Sequence, residues 1–565
     1  MLKRLAVLSM VSLNLTAAGL PAAPAKVAGQ WNLSLELGSI TGRPTIELKQ
    51  DGEKLTGTYR GRYGTSPLEG EVKDNQIGFT VTMNAEGQQT SGFFSGVVDG
   101  DTMGGTVEFE GAGEGTWSAT RARQSAAPAA DWPHWRGPTA SGVAPDRTLP
   151  TRWSVRENIA WRAPTAGVGV SSPIVSGDLV FVTSQIGSGV RREGNHPRLV
   201  QGSDAGAQGE RPISAPQAGA GAGTTVFVIE AFARGSGRRA WERRIEAEGT
   251  LTPVHDKHNL ASPSPVTDGT LVYAWFGTGQ LAALTRDGRV AWQRHLGKEI
   301  SPYDITWGHS SSPVLHGDLL ILLSDHASAS YLLAVDKKTG TERWRADRGK
   351  GKSSYSTPLI VDGPSGAELI VNSNERVDAY DPQTGALLWH TGESNRFPVP
   401  SPVFAGGVIY ASRGYRSGPY MALRPGGRGD ITATHTVWRI GTGAPYVSSL
   451  LFYDGAVYMA NDVGVLTASD AATGQRLWQE RVDGVFSASP VAAAGHVYFV
   501  SESGDTIVVK AGRPPQVVQR NALGERAVAS PAISNGQLFI RTDSHLFCIG
   551  ASATPASDPS TAGRR

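Results

Sequence analysis

The phrase Ala-x-Asp-x-x-Thr-Gly-x-x-x-Trp occurs three times in this chain at identical internal spacing, at Ala334–Trp344, Ala379–Trp389 and Ala468–Trp478. Each copy reads as a hairpin: an apolar strand, a tight turn, and a second strand carrying a large anchor. Asp336, Asp381 and Asp470 are placed to accept backbone N–H groups of the turn, and Gly340, Gly385 and Gly474 to take a positive φ. Because Trp344, Trp389 and Trp478 hold one slot of a repeat, they are expected to fill gaps between neighbouring units.

A second phrase, Ser-Pro or Ser-x-Pro followed by apolar residues, a Gly turn and a Val/Tyr/Phe strand, recurs eight times. Its anchors are Pro173, Pro265, Pro313, Pro358, Pro402, Leu450 (where the Pro is lost), Pro490 and Pro531, at gaps of 92, 48, 45, 44, 48, 40 and 41 residues. A period in the forties means four short strands per unit, the signature of a β-propeller. The 92-residue gap is one unit with an insertion, since residues 185–224 are rich in Gly, Ala, Ser and Gln and have no strand-like apolar run. The reading is therefore all-β, with an eight-bladed propeller over residues 132–550, a flexible insertion at 185–224 and a disordered tail at 551–565. The last repeat lacks a fourth strand. Residues 158–162, with Trp161 twelve residues before Pro173 as Trp478 is before Pro490, are expected to supply it and close the ring.

Lys plus Arg number 53 against 51 Asp plus Glu, a balance that gives no electrostatic reason to expect nucleic acid or an anionic membrane as partner. The start has the basic, apolar and small-residue regions of a secretory signal over residues 1–25: Met1-Leu2-Lys3-Arg4, an apolar run to Leu20, then Ala23-Pro24-Ala25. A mature chain beginning near Lys26, periplasmic or secreted, is expected. No Cys follows the apolar run to carry a lipid, and no later stretch is long enough to span a bilayer. The single cysteine, Cys548, alternates with Phe547 and Ile549 and reads as a small buried hydrophobe.

Residues 26–121 form a separate Gly-rich segment of eight strand-like runs divided by hairpin signals such as Asp51-Gly52 and Asp99-Gly100, which predicts a small eight-stranded antiparallel barrel-like domain. It opens with Gly29-Gln30-Trp31 and ends with Trp117 to Arg121, and so resembles lipocalin-like barrels, where an early Trp closes one end and a late Arg packs on it. Such barrels either enclose one small ligand or are packed solid. Residues 122–131 are a linker by composition.

The threefold phrase, the Ser-Pro-Val starts and the segment Trp132-Pro133-His134-Trp135-Arg136-Gly137-Pro138 together resemble the bacterial pyrroloquinoline-quinone-like propeller proteins. That superfamily includes quinoprotein alcohol dehydrogenases and the propeller subunit of the outer-membrane protein assembly machine. The resemblance covers residues 131–550 and implies the fold; the same repeat serves enzymes and scaffolds. Several departures argue against the dehydrogenase. Its adjacent Cys-Cys disulfide cannot be formed by one cysteine, its calcium-binding Glu, Asn and Asp cannot be aligned here, and no Cys-x-x-Cys-His haem site is present.

In a four-stranded blade the loops from strand two to three, and from strand four to the next blade, emerge on one face. Here that face carries the unusual sequence: the 185–224 insertion and the long connections 245–262 and 297–311. Long loops on a rigid scaffold are where binding residues concentrate. The candidate site residues are thus His255, His258, Asn259, Trp307, His309, Asp325 and His326. His255-x-x-His258 has a metal-like spacing but no third ligand, so no metal is expected. The sequence reading is a non-catalytic binding or assembly scaffold outside the cytoplasm that takes an envelope protein or a small ligand, with no cofactor. Pyrroloquinoline quinone with calcium enters only under the alternative of a quinoprotein dehydrogenase acting on an alcohol or sugar. Carbohydrate or polymer binding at the aromatic loop face is a further alternative.

Overall fold

The computed structural model describes residues 24–121 and 131–550, except positions 39, 43, 62–63, 86–87, 101 and 112 in the first span and 194–214, 219–223 and 416 in the second. The expected signal sequence to Ala23, nearly all of the linker and the tail lie outside the described residues. The chain divides into two compact units, residues 1–127 and 128–565. Among the described residues no helix is long and apolar enough to cross a membrane.

The first unit is one antiparallel sheet of nine strands: β1 (Gly29–Leu37), β2 (Ile40–Gly42), β3 (Thr45–Asp51), β4 (Lys54–Gly61), β5 (Gly64–Lys73), β6 (Gln76–Ala85), β7 (Gln88–Asp99), β8 (Thr102–Phe109) and β9 (Gly113–Arg121). β1 pairs with β9 along one edge, closing the ring, and with both β2 and β3 along the other. The ring thus has eight positions, as the hairpin count predicts. One position is split before Pro44, which has no N–H with which to continue the ladder. Alternate side chains point inward and fill the interior: Phe79 stacks on Phe94 at 4.5 Å and Trp117 meets both edge-on at 5.5 and 5.8 Å. Trp31 is buried among them and donates its indole N–H to the Val27 carbonyl. The Arg121 side chain, the other half of the expected plug, lies outside the described residues.

The second unit is a ring of eight blades. Their first strands are Ile174–Ser176, Val266–Thr267, Val314–His316, Leu359–Gly363, Val403–Ala405, Leu451–Tyr453, Val491–Ala493 and Ala532–Ser534. The ring closes as the sequence requires: Ile159–Pro164 pairs antiparallel with His545–Ile549 as the fourth strand of the last blade. Cys548 is buried there, and burial pushes its thiol up to about 12.

The repeated phrase proves to be a joint between blades. Asp336, Asp381 and Asp470 each accept two turn N–H groups at 2.7–3.2 Å. The tryptophan of one blade donates its indole N–H to a carbonyl in the hairpin of the next: Trp292 to Lys337, Trp344 to Pro382, Trp438 to Ala471 and Trp478 to Gly512. The hairpin glycine lies flat on that indole. At Gly385 (φ +74°) a Cβ would come within 2.6 Å of Trp344, so turn conformation and close approach both demand glycine. Trp389 differs. The fifth blade has no such hairpin between Tyr420–Leu423 and Thr436–Ile440, and Trp389 donates instead to buried Glu368, which also accepts the Gly426 N–H.

Most of the expected insertion at 185–224, positions 194–214 and 219–223, lies outside the described residues. Val190–Arg192 pairs with Gln217–Ala218 and, in parallel, with Val254–His255, so its described ends are held in a small sheet by the neighbouring loop.

Candidate functional site

The first strands surround a central channel, and the Ser-Pro phrase rings it. From the second blade on, the Ser or Thr beside each anchor accepts, through its hydroxyl, the N–H of its counterpart in the preceding blade. Seven such bonds, at 2.8–3.1 Å, link Ser172, Ser264, Ser312, Thr357, Ser401, Ser449, Ser489 and Ser530 in order. Buried backbone donors at the blade starts, which no ladder satisfies, are satisfied across blades.

The segment from Trp132 enters the channel from the side of the short turns. Trp132 exchanges both backbone hydrogen bonds with Val175, Pro133 accepts from Thr267, and Gly142 and Ala144 bracket Ala492, all at 2.9 Å. Arg136 is buried and gives its guanidinium to the carbonyls of Leu450 and Ser141 at 2.7 and 2.8 Å. Burial pushes this group down to about 9.

Above the hydroxyl ring, toward the long loops, lies a cavity of about 220 Å³. Trp135 lines its inner end; His255, Lys257, His258, Trp307, Tyr355, Tyr446 and Asp462 line the rest. Lys257, on the loop between blades one and two, bonds Glu502 of blade seven at 2.7 Å, and Ser487 donates to the same carboxylate at 2.5 Å. Asp462 accepts the Tyr446 N–H at 2.8 Å. Desolvation pushes its carboxyl up to about 6, with Glu502 adding to the shift and Lys257 opposing it.

His255, His258 and Trp307 of the sequence candidates meet on this wall. His258 is held neutral, pushed down to about 4 by burial, with Nε2–H donating to the Trp307 carbonyl and Nδ1 facing Ser262 at 2.8 Å. His255 Nδ1 lies 2.8 Å from Asp256. Asn259 is buried and fixes the loop, donating to Val168 and accepting from Ala261. His309 and His326 are not on the wall: they pack behind it against Trp275 and Tyr303, each ring 4.2 Å from an aromatic neighbour. Burial lowers both, His326 to about 4.

Asp325 also lies inside, in a bidentate ion pair with Arg348 at 2.8 and 3.0 Å, and Arg348 reaches Asp378 of blade four as well. Burial opposes the guanidinium charge, but the Asp325 and Asp378 carboxylates outweigh it and hold the group above its usual range. Sequence reasoning missed Lys257, Tyr355, Tyr446, Asp462, Glu502 and the hydroxyl ring. The ring did leave a signal, a hydroxyl residue immediately before every anchor.

A family model described as outer membrane protein assembly factor BamB matches residues 226–427 and 430–541. BamB of Yersinia pestis is 24% identical over 329 residues, covering 56% of this chain and 69% of that protein. Among solved structures, BamB from Moraxella catarrhalis aligns at 17% identity over 58% of this chain and 90% of its own, with a TM-score of 0.42. Quinohemoprotein alcohol dehydrogenase from Comamonas testosteroni aligns at 11% identity over 77% and 83%, with a TM-score of 0.37.

Proposed function

We propose, from the premise that this chain belongs to the propeller family described as outer membrane protein assembly factor BamB, that it is a non-catalytic binding or assembly scaffold of the cell envelope. In this reading the loop-face cavity receives a small ligand or a side chain of an envelope protein. The observation that supports it is the state of the cavity wall, whose polar groups hold one another in place. Lys257, Glu502 and Ser487 are joined across blades, and His258 is locked neutral on the Trp307 carbonyl. A rigid wall assembled from several blades suits selective binding.

The wall does not fit pyrroloquinoline quinone. That group is a flat tricycle with three carboxylates, and its calcium takes about six to eight oxygen ligands. Among the described wall residues the one lysine is committed to Glu502, and the carboxylate beside it, Asp462, resists ionisation. No dehydrogenase step is derived from this set. The carbohydrate reading is also disfavoured: Phe397 meets Trp307 and Tyr415 edge-on, at 74° and 87°, so their faces are not laid out as a flat platform.

The test is to mix the protein with pyrroloquinoline quinone and calcium and follow absorbance and native mass. No stoichiometric uptake is expected, and one-to-one uptake would reverse the choice between scaffold and dehydrogenase. Exported protein is expected to begin near Lys26 on N-terminal sequencing.

A further inference from the structure

Each first strand pairs with its own blade along one edge and turns the other edge to the channel. An unpaired strand edge is a template for another chain. In blades one and seven this chain supplies the partner itself. Val175 exchanges both backbone bonds with Trp132, and Ala492 donates to Gly142 and accepts from Ala144. In blade two, Thr267 donates to Pro133.

Blades three, four and five have the same edge without that cover. Leu315, Ile360 and Phe404 stand two residues past their anchors, as Val175 does, and pair across to Leu320, Leu369 and Ile409 as Val175 pairs to Val180. Their N–H and carbonyl groups therefore face the channel. Among the described residues no backbone or side chain bonds to them there. Beside them lies a cavity of about 380 Å³, bounded on its other side by His134–Ala140 and lined by Pro313, Leu315, Pro358, Ile360, Pro402 and Phe404. Asp362 is the one charged residue on this wall.

We propose that this cavity is a docking site for an extended, apolar, uncharged peptide segment of another protein. The segment adds to the inner edge of blade four in the way that Trp132 and Gly142–Ala144 add to blades one and seven. The main-chain pattern calls for a peptide, because each blade offers one donor and one acceptor at strand spacing. The apolar lining calls for β-branched or aromatic side chains. The chain's own leading segment is already engaged with the other blades, and so points to an occupant from outside.

The test uses the full chain and a fluorescein-labelled blocked peptide, acetyl-Thr-Val-Ile-Val-Thr-amide, with binding read by anisotropy. Saturable one-to-one binding is expected. Affinity should fall at least tenfold when the central peptide nitrogen is methylated, which keeps the side chains and removes the N–H. A similar loss is expected in Ile360→Pro, which removes a donor that the blade's own ladder does not use. If Ile360→Pro fails to fold, the methylated peptide on the wild-type protein decides. No binding, or equal binding of the methylated peptide, overturns the proposal. So does a concentration-dependent dimer in sedimentation that Phe404→Arg abolishes, since the occupant is then a second copy.

Discussion

The two ends of the channel are built in opposite ways. At the loop end, long connections that share no sequence meet through side chains: Lys257 with Glu502, Asn259 with Val168, and His258 with Trp307. At the turn end the blades are nearly uniform, and the segment from Trp132 to Ala144 is held mostly through main chain to main chain. The difference teaches that uniform turns do not make an inert surface. They offer little side-chain variety, but the strand edges beside them repeat one hydrogen-bonding pattern around the ring. Selectivity at the loop end rests on which residues are present, and at the turn end on which edges are still open.

The sharpest way to break this contrast is to delete residues 132–146. The ring then loses a buried tryptophan, the Arg136 bonds and five edge bonds, a destabilisation on the order of 5–10 kcal/mol. Thermal melting should show a large fall or loss of the cooperative transition. Lys257→Ala, at the loop end, should cost only about 0–1 kcal/mol, because its ion pair is partly exposed to solvent. Equal melting temperatures for the two variants would show that the leading segment merely decorates the ring.

A second comparison separates buried from partly exposed charge at the loop end. Arg348→Met leaves the Asp325 carboxylate buried without its cation, while Asp378 keeps Arg376 at 2.7 Å, which should cost about 3–5 kcal/mol in denaturant unfolding. A loss as small as that of Lys257→Ala would mean that the Asp325 carboxylate finds a proton or another donor. Ser401→Ala then probes the hydroxyl ring. It leaves the Thr357 N–H, now bonded at 2.8 Å, without an acceptor, at a cost of about 1–3 kcal/mol. The same loss of a hydroxyl at an exposed residue such as Ser503 should be nearly neutral, and matching losses would remove the ring's special status.

What the sequence disclosed follows the range of the interactions. The blade count and the closure by residues 158–162 were legible because strands and turns are local patterns repeated eight times. Trp344 was legible as a joint, but not its partner, because Gly385 belongs to the next repeat. Asp325 was read as a loop residue since it ends a strand; only the arrival of Arg348 from the blade's fourth strand makes burial of its charge tolerable. Lys257 and Glu502 lie 245 residues apart, and no spacing rule joins them. The open edges of Leu315, Ile360 and Phe404 are main-chain features, invisible in residue identities.

The smallest predicted effect lies at Asp462, on the wall of the loop-end cavity. Its folded-state carboxyl titrates near 6, against an ordinary value of 3.8. A raised acid binds its proton more tightly in the folded state than in the unfolded chain, so between about pH 4 and 6 the folded protein holds more protons and stability falls as pH rises. Above pH 6 the folded state carries the charge at a disadvantage. Asp462→Asn keeps an oxygen for the Tyr446 N–H and never ionises. It should therefore leave stability at pH 4 nearly unchanged, flatten the decline between pH 4 and 6, and raise stability at pH 7. Denaturant midpoints at the three pH values measure this directly. A variant less stable than wild type at pH 7 would mean that the ionised Asp462, facing Lys257, is a favourable part of the cavity wall.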